Sequence, residues 1–207
     1  LEALNISVGE ARASGTGAVV AVIGSGGKST LLRTLAREAG ERGARVVLAT
    51  TTHFLAFEGI ALVTSGDMGD IVRALDEAGT VCVGTPTGDA LDRLGAPAFS
   101  MGKLARAADL VLVEADGSKR LPLKAHAGHE PVVPAEAALT VAVMGANGFG
   151  GRVGNVVHRA ELLCERLGCD ANDEATPELM ARSMTDEQGC DPPVFLGSIR
   201  DGRLERA

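Results

Sequence analysis

The run VVAVIGSGGKSTLLRTLAREAG, Val19 to Gly40, constrains this chain more than any other stretch. Apolar and small residues lead into Gly24-Ser25-Gly26-Gly27-Lys28-Ser29-Thr30, and Leu31, Leu32, Leu35 and Ala39 follow at helical spacing. A buried strand that enters a helix through three glycines, a lysine and two hydroxyls reads as a phosphate cradle. Glycines let successive backbone N–H groups turn inward, and the helix N-terminus adds partial positive charge. Lys28 then reaches the β and γ oxygens of a triphosphate, and the Ser29 hydroxyl holds Mg²⁺. The loop is a short form, G-x-x-G-K-S-T, with only Ser25 and Gly26 between Gly24 and Gly27. A tight turn made for geometry alone would need the glycines but neither Lys28 nor Ser29.

Apolar runs alternate with helical patterns along the rest of the chain. Strands are expected over Ala18–Ile23, Arg45–Thr50, Ala61–Thr64, Val81–Gly84, Asp109–Val113 and Leu139–Met144. Helices are expected over Ser29–Glu41, Met68–Ala78, Met101–Ala107, His158–Leu167 and Pro177–Gln188. Val194–Ile199 and Arg203–Glu205 flank Asp201-Gly202, a hairpin signal. Near-continuous apolar strands between helices imply an α/β fold, a mostly parallel sheet covered on both faces. At 207 residues the chain is expected to be one domain with a short leader over 1–16. The glycine-rich Gly145–Asn155 is expected to be a long loop, emerging with Gly24–Thr30, Thr50–His53 and Glu114–Lys124 at the carboxyl edge of the sheet.

Composition excludes some functions. With no Trp, no Tyr and five Phe, the chain has no stacking platform for single-stranded nucleic acid. Twenty basic against 27 acidic residues give a net charge of −7, which repels nucleic acid and anionic lipid. No apolar run approaches the ~20 residues of a membrane helix, and the start LEALNISVGE has no signal-peptide pattern. Cys82, Cys164, Cys169 and Cys190 contain no Cys-x-x-Cys pair and read as reduced thiols of a cytoplasmic protein.

The second chemical signal is DLVLVEADGSKRLPLKAHAGHEPVVP, Asp109 to Pro134. Glu114 and Asp116 stand two apart at a strand end, where both can point to one side. Carboxylates there bind Mg²⁺, directly or through water, or orient a nucleophile. A carboxylate closing an apolar strand is costly unless partnered, which favours function for Glu114 over an ordinary loop charge. Lys119, Arg120 and Lys124 follow closely and suit a transferred phosphoryl group or a second anionic ligand. Thr50, Thr51, Thr52 and His53 end the second strand. Their hydroxyls suit Mg²⁺-bound water or a γ-phosphate, and His53 a phosphate contact or proton relay; β-branched residues also suit a plain strand. His126 and His129 have metal-compatible spacing but no third nitrogen or sulfur ligand nearby, and read as loop histidines. His158 and Arg159 read as opening a helix, where they need an anion to offset the dipole.

VIGSGGKSTLLRTLARE, VVLATTTH, EADGSKRLPLKAHAGHEPVVP and VVHRAELLCERLG occur in the order seen in YqeC-type proteins, and over most of its length the chain resembles that family. The resemblance implies a P-loop NTPase-like fold and a role as an accessory protein of selenium-dependent molybdenum hydroxylases, in maturing the enzyme or its molybdenum cofactor. Ser29 stands where the family more often has Thr, and His126 where Pro is more usual. SMTDEQGCDPPVFLGSIRDG shows no Asn-Lys-x-Asp-like base-reading motif, so ATP and GTP both stay open, and residues absent near Cys190-Asp191 would account for the gap.

The combined expectation is a Mg²⁺-dependent protein that binds ATP or GTP and hydrolyses it or transfers its γ-phosphoryl group. Gly24 to Thr30, Thr51 and Thr52 would bind nucleotide, Lys28 would stabilise transition-state charge, and Ser29 and Asp116 would hold Mg²⁺. Glu114 or His53 would orient the nucleophile, and Lys119 or Lys124 would hold an acceptor. The rival expectations are a nucleotide-switched adaptor for a molybdenum hydroxylase client, a small-molecule kinase or ligase, and a molybdopterin-nucleotide-binding protein without hydrolysis.

Overall fold

Valine and leucine runs with no polar face must be covered on both sides, and the sheet at the centre of the molecule is built from them. The computed structural model describes residues 1–7, 9, 15–185, 194–200 and 203–206. In chain order the strands are β1 (Ala18–Gly24), β2 (Val46–Thr50), β3 (His53–Phe54), β4 (Ala61–Val63), β5 (Thr80–Val83), β6 (Thr85–Pro86), β7 (Leu94–Gly95), β8 (Leu110–Glu114), β9 (Leu123–Lys124), β10 (Leu139–Val143), β11 (Val157–His158), β12 (Val194–Arg200) and β13 (Arg203–Arg206). The α-helices are α1 (Lys28–Glu41), α2 (Met68–Ala78), α3 (Met101–Ala105), α4 (Val153–Val156), α5 (Ala160–Leu167) and α6 (Pro177–Thr185).

The main sheet runs β13-β12-β10-β1-β8-β2-β5-β4, and every neighbouring pair is parallel except β12–β13. β1 therefore lies between β10 and β8, with Gly24 opposite Val143 and Val22 opposite Glu114. Because alternate side chains point to opposite faces, Val20 and Val22 pack with Leu31, Leu32 and Leu35 of α1. Val19 packs on the other face with Ile71 and Leu75 of α2 and Leu104 of α3. Asp67 caps α2 by accepting from the Gly69 N–H at 2.8 Å, and Ser100 caps α3 through the Lys103 N–H. A third apolar cluster joins Leu123, Val153, Val157, Leu163 and Met180, from β9, α4, β11, α5 and α6.

The α/β reading holds, with local differences. The helix expected at His158 starts instead at Ala160, because Arg159 takes a left-handed φ of 64° and His158 pairs with Lys124 in the small β9–β11 sheet. Within the expected leader, Leu1 and Leu4 are buried with the α1 leucines. Gly145–Asn155 is partly ordered by a 3₁₀ turn at Ala146–Gly148 and by α4. Residues 186–188 of the expected last helix, the Asp201-Gly202 turn and the Cys190-Asp191 junction lie outside the described residues. Among the described residues no helix is long and apolar enough to cross a membrane.

Leu32 has no solvent exposure and joins α1 to the sheet. Leu32→Ala should lower unfolding stability by about 2–5 kcal/mol, whereas Leu62→Ala on the exposed edge strand, 48% exposed, should cost less than about 0.5 kcal/mol. Urea unfolding of both variants checks the contrast.

Candidate functional site

The site begins where β1 stops. Gly24 has a φ of 88°, and a Cβ there would stand 2.2 Å from the Val143 carbonyl oxygen. Gly26, φ 73°, is packed as tightly, its Cβ position lying 2.4 Å from Gly145 Cα and 2.7 Å from the Pro122 oxygen. No L side chain fits either place without moving backbone. Gly27 then caps α1 with no side-chain acceptor and no acidic residue in the first turn. The first helical N–H with a partner is that of Leu31, on the Gly27 carbonyl at 2.9 Å. The five N–H groups from Gly26 to Thr30 have no acceptor among the described residues. They form an arc of donors at a positive helix end. Ser25 is buried with its Oγ unpartnered, whereas Ser29 and Thr30 are exposed.

Lys28 is buried beside this arc, its Nζ donating to the Gly24 carbonyl at 2.7 Å. Two carboxylates hold it: Asp116 Oδ1 at 3.3 Å and Glu114 Oε1 at 3.8 Å. Asp116 has no solvent exposure. Its Oδ2 accepts from the Gly24 N–H at 2.9 Å, lies 2.8 Å from His126 Nε2 and 3.2 Å from Lys124 Nζ. Its Oδ1 makes no hydrogen bond and faces Lys28. Burial pushes this carboxyl up, but the His126 hydrogen bond and the Lys28 and Lys124 charges outweigh it and hold Asp116 below its ordinary value. Glu114 behaves oppositely: burial raises it, and Asp116 adds to the rise, against the opposing Lys28 charge and a hydrogen bond from Ser29.

Lys124 continues the network, pairing with Glu130 at 2.9 Å and donating to the Gly117 carbonyl. Arg159 pairs with the same Glu130 oxygen, and Arg166 of α5 donates to the His126 carbonyl at 2.6 Å. A chain of buried polar contacts thus runs from the glycine loop to α5.

Of the residues singled out in the sequence, Lys28, Ser29, Glu114, Asp116 and Lys124 come together here. Thr50 donates to the Glu114 carbonyl at 2.8 Å and accepts from the Thr52 N–H at 3.0 Å, while Thr51 donates to the Val132 carbonyl at 2.6 Å. These threonines join β2 to the carboxylate strand, with Thr51 and Thr52 half-buried. His53 is exposed on β3 opposite Gly95, away from the carboxylates in its described contacts. Lys119 is exposed on the turn after Asp116. His126 lies in the irregular segment after β9, as a loop histidine would, but it is 2% exposed and hydrogen-bonded to Asp116. Its position two residues from Lys124, on the same side of an extended segment, was the available signal. No cluster of three or more His, Cys, Asp or Glu fit for a metal occurs among the described residues. Glu130 and Arg159, 29 positions apart, carry no local signature.

Removing Asp116 takes from buried Lys28 and Lys124 one of the two carboxylates that each contacts, and leaves the buried Gly24 N–H without its acceptor. Asp116→Ala should therefore cost about 3–5 kcal/mol. The lowered carboxyl pKa contributes stability that is present above the ordinary carboxylate range near ~4 and is lost as the pH falls through the folded value. Urea unfolding from pH 7 downward should show that loss in the parent and a shallower decline in Asp116→Asn.

A model of the YqeC protein family matches residues 20–161. The relative named "Uncharacterized protein YqeC", from Escherichia coli, is 34% identical over 146 residues, which is 68% of this chain and 57% of that protein. The chain thus spans a little over half the length of that curated relative. The family match contains the glycine loop, Asp116 with its partners, and Arg159.

Proposed function

The chain belongs to the YqeC family, and from that footing we propose that it binds ATP or GTP with Mg²⁺ at residues 24–30 and hydrolyses it or transfers its γ-phosphoryl group. The observation that carries this reading is the arc of five backbone N–H groups without acceptors, closing around a buried lysine at a helix N-terminus. Such an arc suits a polyphosphate, whose oxygens accept from many directions at once. Lys28, resting on the Gly24 carbonyl, would move to the β and γ oxygens.

The donor set fits Mg²⁺, a hard cation that prefers oxygen ligands and keeps several waters. The Ser29 hydroxyl is exposed, Glu114 hydrogen-bonds with it, and Asp116 Oδ1 is a buried oxygen without a hydrogen bond. Ser29 would ligate the ion, with Asp116 reaching it through water. The ion would neutralise phosphate charge when bound. Glu114, its carboxyl raised by burial, suits a base that takes a proton from water or an acceptor hydroxyl. Thr51 and Thr52 would meet the γ-phosphate, and His53 would be the alternative orienting group. Lys119 and Lys124 would hold the acceptor. By family resemblance the activity serves the maturation of selenium-dependent molybdenum hydroxylases or their cofactor in the cytoplasm. A nucleotide-switched adaptor is the second reading, favoured by the polar chain from Asp116 through Lys124 and Glu130 to Arg159.

Calorimetric titration with non-hydrolysable ATP and GTP analogues plus Mg²⁺ tests the reading. One analogue should bind saturably, and Lys28→Ala should weaken it at least tenfold. Glu114→Gln should keep that affinity within a few-fold while turnover falls by roughly 10²–10⁴. Absence of binding by either analogue to folded protein would overturn it.

A further inference from the structure

The turn that follows Asp116 carries two cations without a counter-charge. Lys119 and Arg120 are exposed, and neither has an acidic partner among the described residues. Both hold left-handed backbone, with φ of 47° and 63°, a conformation that side-chain-bearing residues rarely adopt. The turn abuts the glycine loop, because the Pro122 carbonyl that follows it packs on Gly26 and accepts from the Gly145 N–H at 2.8 Å.

Lys124 and His158 are register partners in the parallel β9–β11 pair. Lys124 and Arg159 are both engaged by Glu130. His158 is 8% exposed, and its Nδ1, shielded from water, has no hydrogen-bond partner among the described residues. A buried polar atom of this kind calls for an explanation. Burial first, then the charges of Arg159, Lys124 and Lys119, disfavour the protonated ring, against Glu130. A buried polar nitrogen without a partner among the described residues, beside Lys124 in register and Arg159 in sequence, is an arrangement for an anion.

We propose that Lys119, Arg120 and His158 form a second anion subsite, separate from the glycine loop, which takes the phosphate group of a small-molecule co-substrate. The inference rests on the reading of residues 24–30 as a nucleotide site, which makes the neighbouring anion an acceptor or partner in the same reaction. A phosphate monoester fits because its oxygens can take the Arg120 fork, the Lys119 ammonium and an imidazole N–H together. Lys124 and Arg159, fixed by Glu130, form the wall.

The chain has four histidines, so the His158 imidazole signal is assignable by NMR with His158→Asn. Inorganic phosphate is titrated into ¹³C-histidine-labelled parent and Lys28→Ala protein. The His158 signal should move saturably in both, and the Lys119→Ala/Arg120→Ala double variant should weaken that response at least tenfold. If Lys28→Ala fails to fold, the parent saturated with Mg²⁺ and a nucleotide analogue should give the same phosphate response. A response lost with Lys28→Ala or blocked by nucleotide means one site only and overturns the proposal. A response that never saturates, an adventitious ion only, or that ignores the double variant does the same. A His158 response in protein that binds no nucleotide overturns the nucleotide reading and leaves the subsite standing.

Discussion

A carboxylate cut off from water must be matched by buried donors, and Asp116 is that carboxylate here. Its partners come from separate parts of the chain: Gly24 at the end of β1, Lys28 in α1, and Lys124 and His126 from the segment leading to the third apolar cluster. Asp116 thereby fixes the entry to the glycine loop relative to β8 and ties the β9–α6 region to the same point. The reverse dependence holds as well. Lys28 and Lys124 are buried cations, and each would lose one of its two carboxylates without it.

The two oxygens of this side chain do different work. Oδ2 is spent on the scaffold, while Oδ1 faces Lys28. In the proposed reading, Lys28 turning towards a polyphosphate would release Oδ1 and Glu114, and nucleotide binding would be coupled to the carboxylates. The chain carries a net charge of −7, yet its donors and several basic groups gather at one edge of the sheet. In the proposed reading, local geometry and not overall charge would make an acidic protein receptive to an anion there.

The central architecture was legible because its signals are local. Strand Ala18–Gly24, the glycine turn and Lys28–Glu41 lie consecutively in the sequence, and apolar runs without polar alternation announced a sheet buried on both faces. The helix Met68–Ala78 matches its expected bounds. What failed was set by distant partners. His126 looks like a loop residue until Asp116, ten positions earlier, is placed against it. The Lys124–Glu130–Arg159 chain spans 35 positions and pairs side chains with no common spacing. His158 looked helical from composition, but pairing with Lys124 and the left-handed Arg159 delay the helix by two residues. Two-residue strands such as β3 and β9 are too short for any period to show.

The most direct measurement is a crystal structure of the protein grown with Mg²⁺ and a non-hydrolysable triphosphate. The account predicts phosphate oxygens on the N–H groups of residues 26–30, with Lys28 moved from the Gly24 carbonyl to the β and γ oxygens. Asp116 Oδ2 should remain on the Gly24 N–H and His126. A triphosphate bound elsewhere, with Lys28 still on Gly24 and Asp116, would contradict it.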